Sequence, residues 1–178
     1  MEKLVESSSQ KLKCIWETLY KKTGDDAVIQ ASLSTLRLRK LGKGLVACFN
    51  PEISKKPLAQ IRVDSTSATT TATETKHSIS VPFDESKWNY TKVKEAQIIA
   101  CYNQKTQRLI LSGDDEFNSL TREAKEESCW LVVTPYPFVR YHTVIVPSPN
   151  LKLPQVFRED CFLEVLRIFS QFDSKEFW

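Results

Sequence analysis

Two histidines, His77 and His142, and five cysteines, Cys14, Cys48, Cys101, Cys129 and Cys161, are the side chains of this 178-residue sequence best suited to act as bases or nucleophiles. A hydrolytic triad needs an imidazole that shuttles a proton between nucleophile and leaving group. His77 lies in DSTSATTTATETKHS, where water would hold the ring too loosely for preorganised catalysis. His142 remains, and a pair with one of the cysteines is the formal option. No local feature, such as a cysteine opening a helix, marks an activated thiol. The cysteines stand 34, 53, 28 and 32 residues apart with no CxxC pair, so a zinc cluster is not expected. Asp114, Asp115 and Glu116 in SGDDEFNSL lack the alternating oxygens and the glycine of a calcium loop. LGKGLV matches neither GxxxxGK[ST] nor GxGxxG, and only four glycines, at 24, 42, 44 and 113, exist to cradle a phosphate. No metal, no cofactor and no familiar enzyme class is expected.

The element that presents His142 is read from CWLVVTPYPFVRYHTVIVPSPNLKLP, Cys129 to Pro154. As a strand it places Phe138, Arg140, His142, Val144 and Val146 on one face and Val139, Tyr141, Thr143 and Ile145 on the other. Pro135 and Pro137 share parity, so one side of the chain there cannot pair, and the segment enters as an edge or breaks before Phe138. Arg140 beside His142 disfavours a protonated imidazole, which predicts a neutral, hydrogen-bonded histidine at a sheet margin. PYPFVRYHTVIVP resembles the strand of histidine-triad nucleotide hydrolases, in which a proline-bearing segment leads into a strand ending in Val-Pro. The His-x-His-x-His that performs that family's chemistry is missing here, and no activity is carried over.

The remaining elements follow from periodicity. Leu12, Ile15, Trp16, Leu19 and Tyr20 form the stripe of an amphipathic helix over about residues 9–22, stopped near Gly24. Residues 27–41 read as helix or strand. The alternation of Leu36 and Leu38 with Arg37 and Arg39 favours a hairpin, Val28–Leu38 with Leu45–Phe49, around KLGKG. Leu58–Val63 is a possible short strand, and residues 64–80 a flexible Ser/Thr-rich loop within one domain spanning 1–178. EAQIIACYNQKTQRLILSG is the clearest β signal: Ile98, Ala100 and Tyr102 alternate with Ile99 and Cys101, and apolar residues on both faces suit interior strands. Asp114 is a helix cap, with Phe117, Leu120, Thr121 and Ala124 facing inward. A last helix carries Phe157, Cys161, Val165, Ile168, Phe169 and Phe172 inward. Phe162, Leu163 and Leu166 widen its apolar face, so it must be covered on more than one side. The order is that of an α+β fold: a mostly antiparallel sheet with N-terminal, middle and C-terminal helices packed on it.

Charge and apolar surface suggest partners. Residues 1–62 hold twelve Lys/Arg against six Asp/Glu, while the rest is net acidic. Arg37, Arg39, Lys40 and Lys43 form a basic strand and turn that could meet nucleic acid or an acidic partner. Aromatics for stacking on bases are scarce nearby, Phe49 being the nearest. Protein partners have the better case. Phe169, Phe172 and the terminal Phe177 and Trp178 are candidate partner-binding residues, with Phe177–Trp178 either plugging the core or docking on another chain. No run is apolar enough for a membrane span. The N-terminus has acids and serines before any apolar stretch, and the cysteine count is odd; both point to reduced thiols in the cytoplasm or nucleus. The reading is a non-catalytic interaction or assembly subunit. A nucleic-acid-binding subunit is the alternative, and an enzyme using His142 or a cysteine the third.

Overall fold

The computed structural model describes residues 7–24, 27–55, 85–86, 88–153 and 158–172. The predicted strand Leu58–Val63, the Ser/Thr-rich stretch with His77, Phe157, Phe177 and Trp178 lie outside the described residues.

Helix α1 spans Ser8–Lys21, and Ser7 caps it by accepting from the Gln10 amide at 3.2 Å. Its apolar stripe turns Trp16 and Leu19 into the core. The hairpin of β1 (Arg37–Gly42) and β2 (Leu45–Phe49) forms a two-stranded sheet of its own. Both residues of its two-residue turn, Lys43 and Gly44, have positive φ (49° and 76°), the sign pattern of a type I′ connection. The hairpin therefore forms where expected, but its first strand starts at Arg37 and not at Val28. Residues 27–36 run irregularly instead. Val28, Ile29 and Ala31 are buried one by one, and the Gln30 and Ala31 amides both donate to the Pro135 carbonyl, at 2.8 and 3.1 Å. A single loop carbonyl thus takes amides that a strand would have paired elsewhere.

The main sheet has four antiparallel strands in the order β4-β3-β5-β6: β3 Ile98–Asn103, β4 Arg108–Leu111, β5 Cys129–Val133 and β6 Thr143–Val146. The predicted α+β architecture with a mostly antiparallel sheet is the one observed. Trp16, Leu19, Val28 and Ile29, with Ile168 from the last helix, cover one face, over Ile99, Ala100, Tyr102, Leu131 and Val133. Val93 and Phe117 cover the other, over Ile98, Cys101, Ile110, Trp130 and Val132. Strict alternation in β3 is broken: a bulge between Ile98 and Ala100 places Ile99 with Ala100 on the α1 face. Both central strands are buried along their length apart from Asn103, as two-sided apolar sequences require.

The expected middle helix is two short ones, α2 (Asp115–Ser119) and α3 (Arg122–Glu126). The Thr121 hydroxyl accepts from the Ala124 amide at 3.2 Å and starts a new helix, so the register slips. Thr121 and Ala124 are exposed as a result, and Lys125 takes the inward position. Asp114 precedes α2, but its Oδ2 accepts from the Leu111 amide at 3.3 Å and makes no side-chain cap. The ammonium of Lys125 stands 4.1 Å over the Phe117 ring and pairs with Glu95, which Arg122 also holds at 3.1 Å.

Cys129–Pro154 is not one strand. Residues 134–142 form a loop between β5 and β6, so the two-face assignment holds only over Thr143–Val146, where Ile145 faces the α1 side and Val144 and Val146 the other. The prolines are the physical reason for the break before Phe138. Helix α4 spans Glu159–Phe169.

Candidate functional site

The loop 134–142 is a hub. Besides receiving the Gln30 and Ala31 amides, it ties down the hairpin: Asn50, itself buried, donates through Nδ2 to the Pro137 carbonyl at 3.2 Å, and the Cys48 thiol donates to the Phe138 carbonyl at 3.4 Å. His142 closes the loop on itself, its Nδ1 accepting from the Phe138 amide at 3.1 Å. Burial holds the His142 pKa below its ordinary value. The imidazole is thus neutral, half-buried and engaged beside β6, in agreement with the margin position expected from sequence.

Three of the five thiols, Cys101, Cys129 and Cys161, are poorly placed for nucleophilic use. Burial pushes Cys101 up to about 11 and Cys129 higher still, and it raises Cys161 as well. All five cysteines are unpaired. Among the described residues no cluster of His, Cys, Asp or Glu is arranged to hold a metal ion.

Helix α4 separates its two faces sharply. Cys161, Glu164, Val165 and Ile168 form the inward side, at helical spacing, with Ile168 fully buried and Phe172 partly buried beyond the helix end. Phe162, Leu163 and Leu166 form the outward side and are 46%, 43% and 48% exposed, while Phe169, 49% exposed, stands at the border and also lines a cavity against α1 and the sheet. The expectation of an inward Phe169 is met in part, since the ring lines the cavity yet stays half exposed. Of the four candidate partner residues, Phe169 is exposed, Phe172 packs on the core, and Phe177 and Trp178 lie outside the described residues. Sequence reasoning passed over Leu163 and Leu166 as partner residues; the width of the apolar arc was the signal that could have found them. The inward Glu164 is 6% exposed and its Oε1 has no hydrogen-bond partner. Burial raises its pKa, against a hydrogen bond from Gln104.

The four basic candidates are all exposed, but the register distributes them. Arg37 pairs with Phe49 and Arg39 with Ala47, so these four share one face of the hairpin. Lys40 pairs with Val46 on the opposite face and Lys43 sits in the turn. Phe49 is 61% exposed, so an aromatic ring stands beside the arginines.

No helix of the described residues is long and apolar enough to cross a membrane. Comparison with curated proteins and with solved structures gave no match. A family model described as "GDPGP1-like, N-terminal domain" matches residues 54–178, which takes in the four-stranded sheet, the 134–142 loop and α4, and leaves α1 and the hairpin outside. That span is most of the chain, and the protein belongs to the GDPGP1-like, N-terminal domain family.

Proposed function

We propose that this chain is a non-catalytic interaction unit that docks on another protein through the outward face of α4. The observation that carries the reading is the stripe of Phe162, Leu163 and Leu166, with Phe169 at its edge, large apolar side chains each more than two-fifths exposed. A contiguous apolar strip of this kind marks interaction surfaces more often than ordinary surface. The raised thiols and the neutral, engaged His142 support a role without nucleophilic chemistry. In this reading the five unpaired thiols suit the cytoplasm or nucleus.

The test is differential capture. The tagged chain and a Leu163→Glu plus Leu166→Glu variant are cross-linked in cells, and the captured proteins are compared by mass spectrometry. Both positions are exposed, so circular dichroism should be unchanged. Loss of the captured proteins in the variant, with retention in a Leu38→Glu variant on the hairpin, is the expected outcome. Equal capture by all three proteins would overturn the reading.

A second reading rests on the hairpin. Arg37 and Arg39 share a face with exposed Phe49, which combines phosphate-pairing cations with a stacking ring, and single-stranded nucleic acid is the partner such a face fits.

A further inference from the structure

Strands β1 and β2 pair only with each other, so the hairpin has an open edge on either side. Alternate residues of an antiparallel strand turn their N–H and C=O away from the partner strand. Along Arg37–Gly42 and Leu45–Phe49 no described group takes up those outward amides and carbonyls. Every residue of both strands is exposed, and Leu38, Leu45, Val46 and Phe49 each by more than half. An open edge with apolar side chains is a template on which another strand can pair.

The charge of the hairpin says what kind of strand. Residues 37–49 hold four cations, Arg37, Arg39, Lys40 and Lys43, and no Asp or Glu. None of the four makes a salt bridge with a described residue. The register puts Arg37, Arg39, Ala47 and Phe49 on one face and Leu38, Lys40, Val46 and Cys48 on the other. Each face therefore sets positive charge beside apolar surface. A nucleic-acid strand lying on the Arg37–Phe49 face would leave Leu38, Lys40, Val46 and the open backbone edge unused. A peptide strand added at the edge uses them all, because its alternate side chains fall on the two faces. The hairpin of a second copy is a poor match, since its own Arg37, Arg39 and Lys40 would bring like charges together.

We propose that the hairpin binds an extended acidic peptide, which adds as a third strand along an outer edge. Its carboxylates lie at Arg37, Arg39 and Lys40, and its apolar side chains lie over Leu38, Val46 and Phe49. Main-chain hydrogen bonds supply affinity, and the charges select the partner. The hairpin precedes residue 54, outside the family match, and shares no residue with the α4 face, so the proposal stands independently of the α4 reading.

Fluorescence-anisotropy titration of the full chain with a labelled peptide of about eight alternating Glu and Val residues, an ordinary strand length, tests the proposal. The fully N-methylated peptide, a Lys–Val counterpart and a short oligo-dT are titrated beside it. Saturable binding of the Glu–Val peptide is expected, with hydrogen-exchange protection of amides within residues 37–49. The N-methylated form should bind about tenfold or more weakly, because it cannot donate along the edge. Arg39→Glu plus Lys40→Glu, at two exposed positions, should weaken the Glu–Val peptide by about tenfold or more and favour the Lys–Val one. The α4 variant Leu163→Glu plus Leu166→Glu should bind the Glu–Val peptide normally, which separates this site from the docking face. The exchange measurement uses the wild-type chain, so it decides even if a variant misfolds. Failure of the Glu–Val peptide to saturate, equal affinity for its N-methylated form, or no protection within 37–49 would overturn the proposal. Tighter binding of oligo-dT through the same two residues would overturn it as well and assign the hairpin to nucleic acid.

Discussion

β3 pairs with β4 over four residue pairs and β1 with β2 over five, each antiparallel and each closed by a short turn that contains a residue at positive φ. Both hairpins carry apolar residues on both faces. Yet β3 is buried from Ile98 to Tyr102, while every residue of β1 and β2 is exposed. Backbone pairing is common to both, so pairing alone does not explain the contrast. What β3 gains is a second neighbour, β5, and a layer on either side: α1 and α4 on one face, the Tyr90–Lys92 turn and α2 on the other. A two-stranded ribbon is marginal in water unless something packs on it. Here β1–β2 is held mainly at its base, through Asn50 and Cys48 to the 134–142 loop. One hairpin is core by virtue of its coverings, and the other is a tethered arm.

The largest effect that separates them is at Trp130. This side chain is fully buried in β5, donates its indole N–H to the Lys125 carbonyl and receives the Arg122 guanidinium 4.5 Å above its ring. Trp130→Ala should cost about 3–5 kcal/mol in urea unfolding, from lost transfer energy and the cavity left behind. Phe49→Ala, in the exposed arm, should change stability by less than about 0.5 kcal/mol. Similar losses at the two sites would mean that the arm is covered in solution, and the comparison would fall.

Much of this was legible from sequence, for a definite reason. The helix at 8–21, the strands flanking Asn103–Thr106 and the turn at Lys43–Gly44 are each fixed by local periodicity or by turn chemistry. Three features were not legible. The bulge at Ile99 depends on pairing with β5, a contact distant in sequence. The split between α2 and α3 depends on one hydroxyl choosing a backbone amide. The irregular course of 27–36 depends on the Pro135 carbonyl, about a hundred residues away. The site shows the same divide. The apolar arc of α4 could be counted in the sequence, but which half would face out was decided by the sheet. The cavity that Phe169 lines joins Trp16 of an early helix to Arg140 of a late loop, and no spacing rule reaches that far.

The second effect tests the burden of coverage. Glu164 is turned inward on α4, and burial raises its pKa above its ordinary value, with Gln104 acting in the other direction. A carboxyl whose folded pKa is raised binds its proton more tightly in the native state. Stability therefore falls as pH rises from the unfolded value of 4.5 through the folded one, and the penalty is fully present above both. Glu164→Gln removes the charge. It should stabilise the protein by about 1 kcal/mol at pH 8, in the range for a buried group left without a partner, and the gain should vanish below pH 4. Thermal unfolding across that range reads the effect directly. A pH-independent difference would show that Glu164 is solvated, and the inward face of α4 would then be less covered than the sheet beneath it.

The smallest stability effect carries the most information about the arm. Arg37 and Arg39 are exposed on the face shared with Phe49, and nothing in the core leans on them. Arg37→Ala plus Arg39→Ala should leave the urea midpoint within about 0.5 kcal/mol of wild type. The same variant discriminates the two uses of the chain. If the arm meets nucleic acid, affinity for a single-stranded oligonucleotide should drop steeply between 50 and 200 mM salt in the wild type, and the double variant should bind weakly with a shallower salt slope, because two phosphate contacts and their counterion release are gone. If the arm serves a protein partner or none, both proteins should show the same weak, salt-sensitive background. A steep slope that survives the double substitution would move the basic surface off the hairpin altogether, and the arm's exposure would then be explained by its apolar residues, Leu38, Leu41, Leu45 and Val46, in place of its charge.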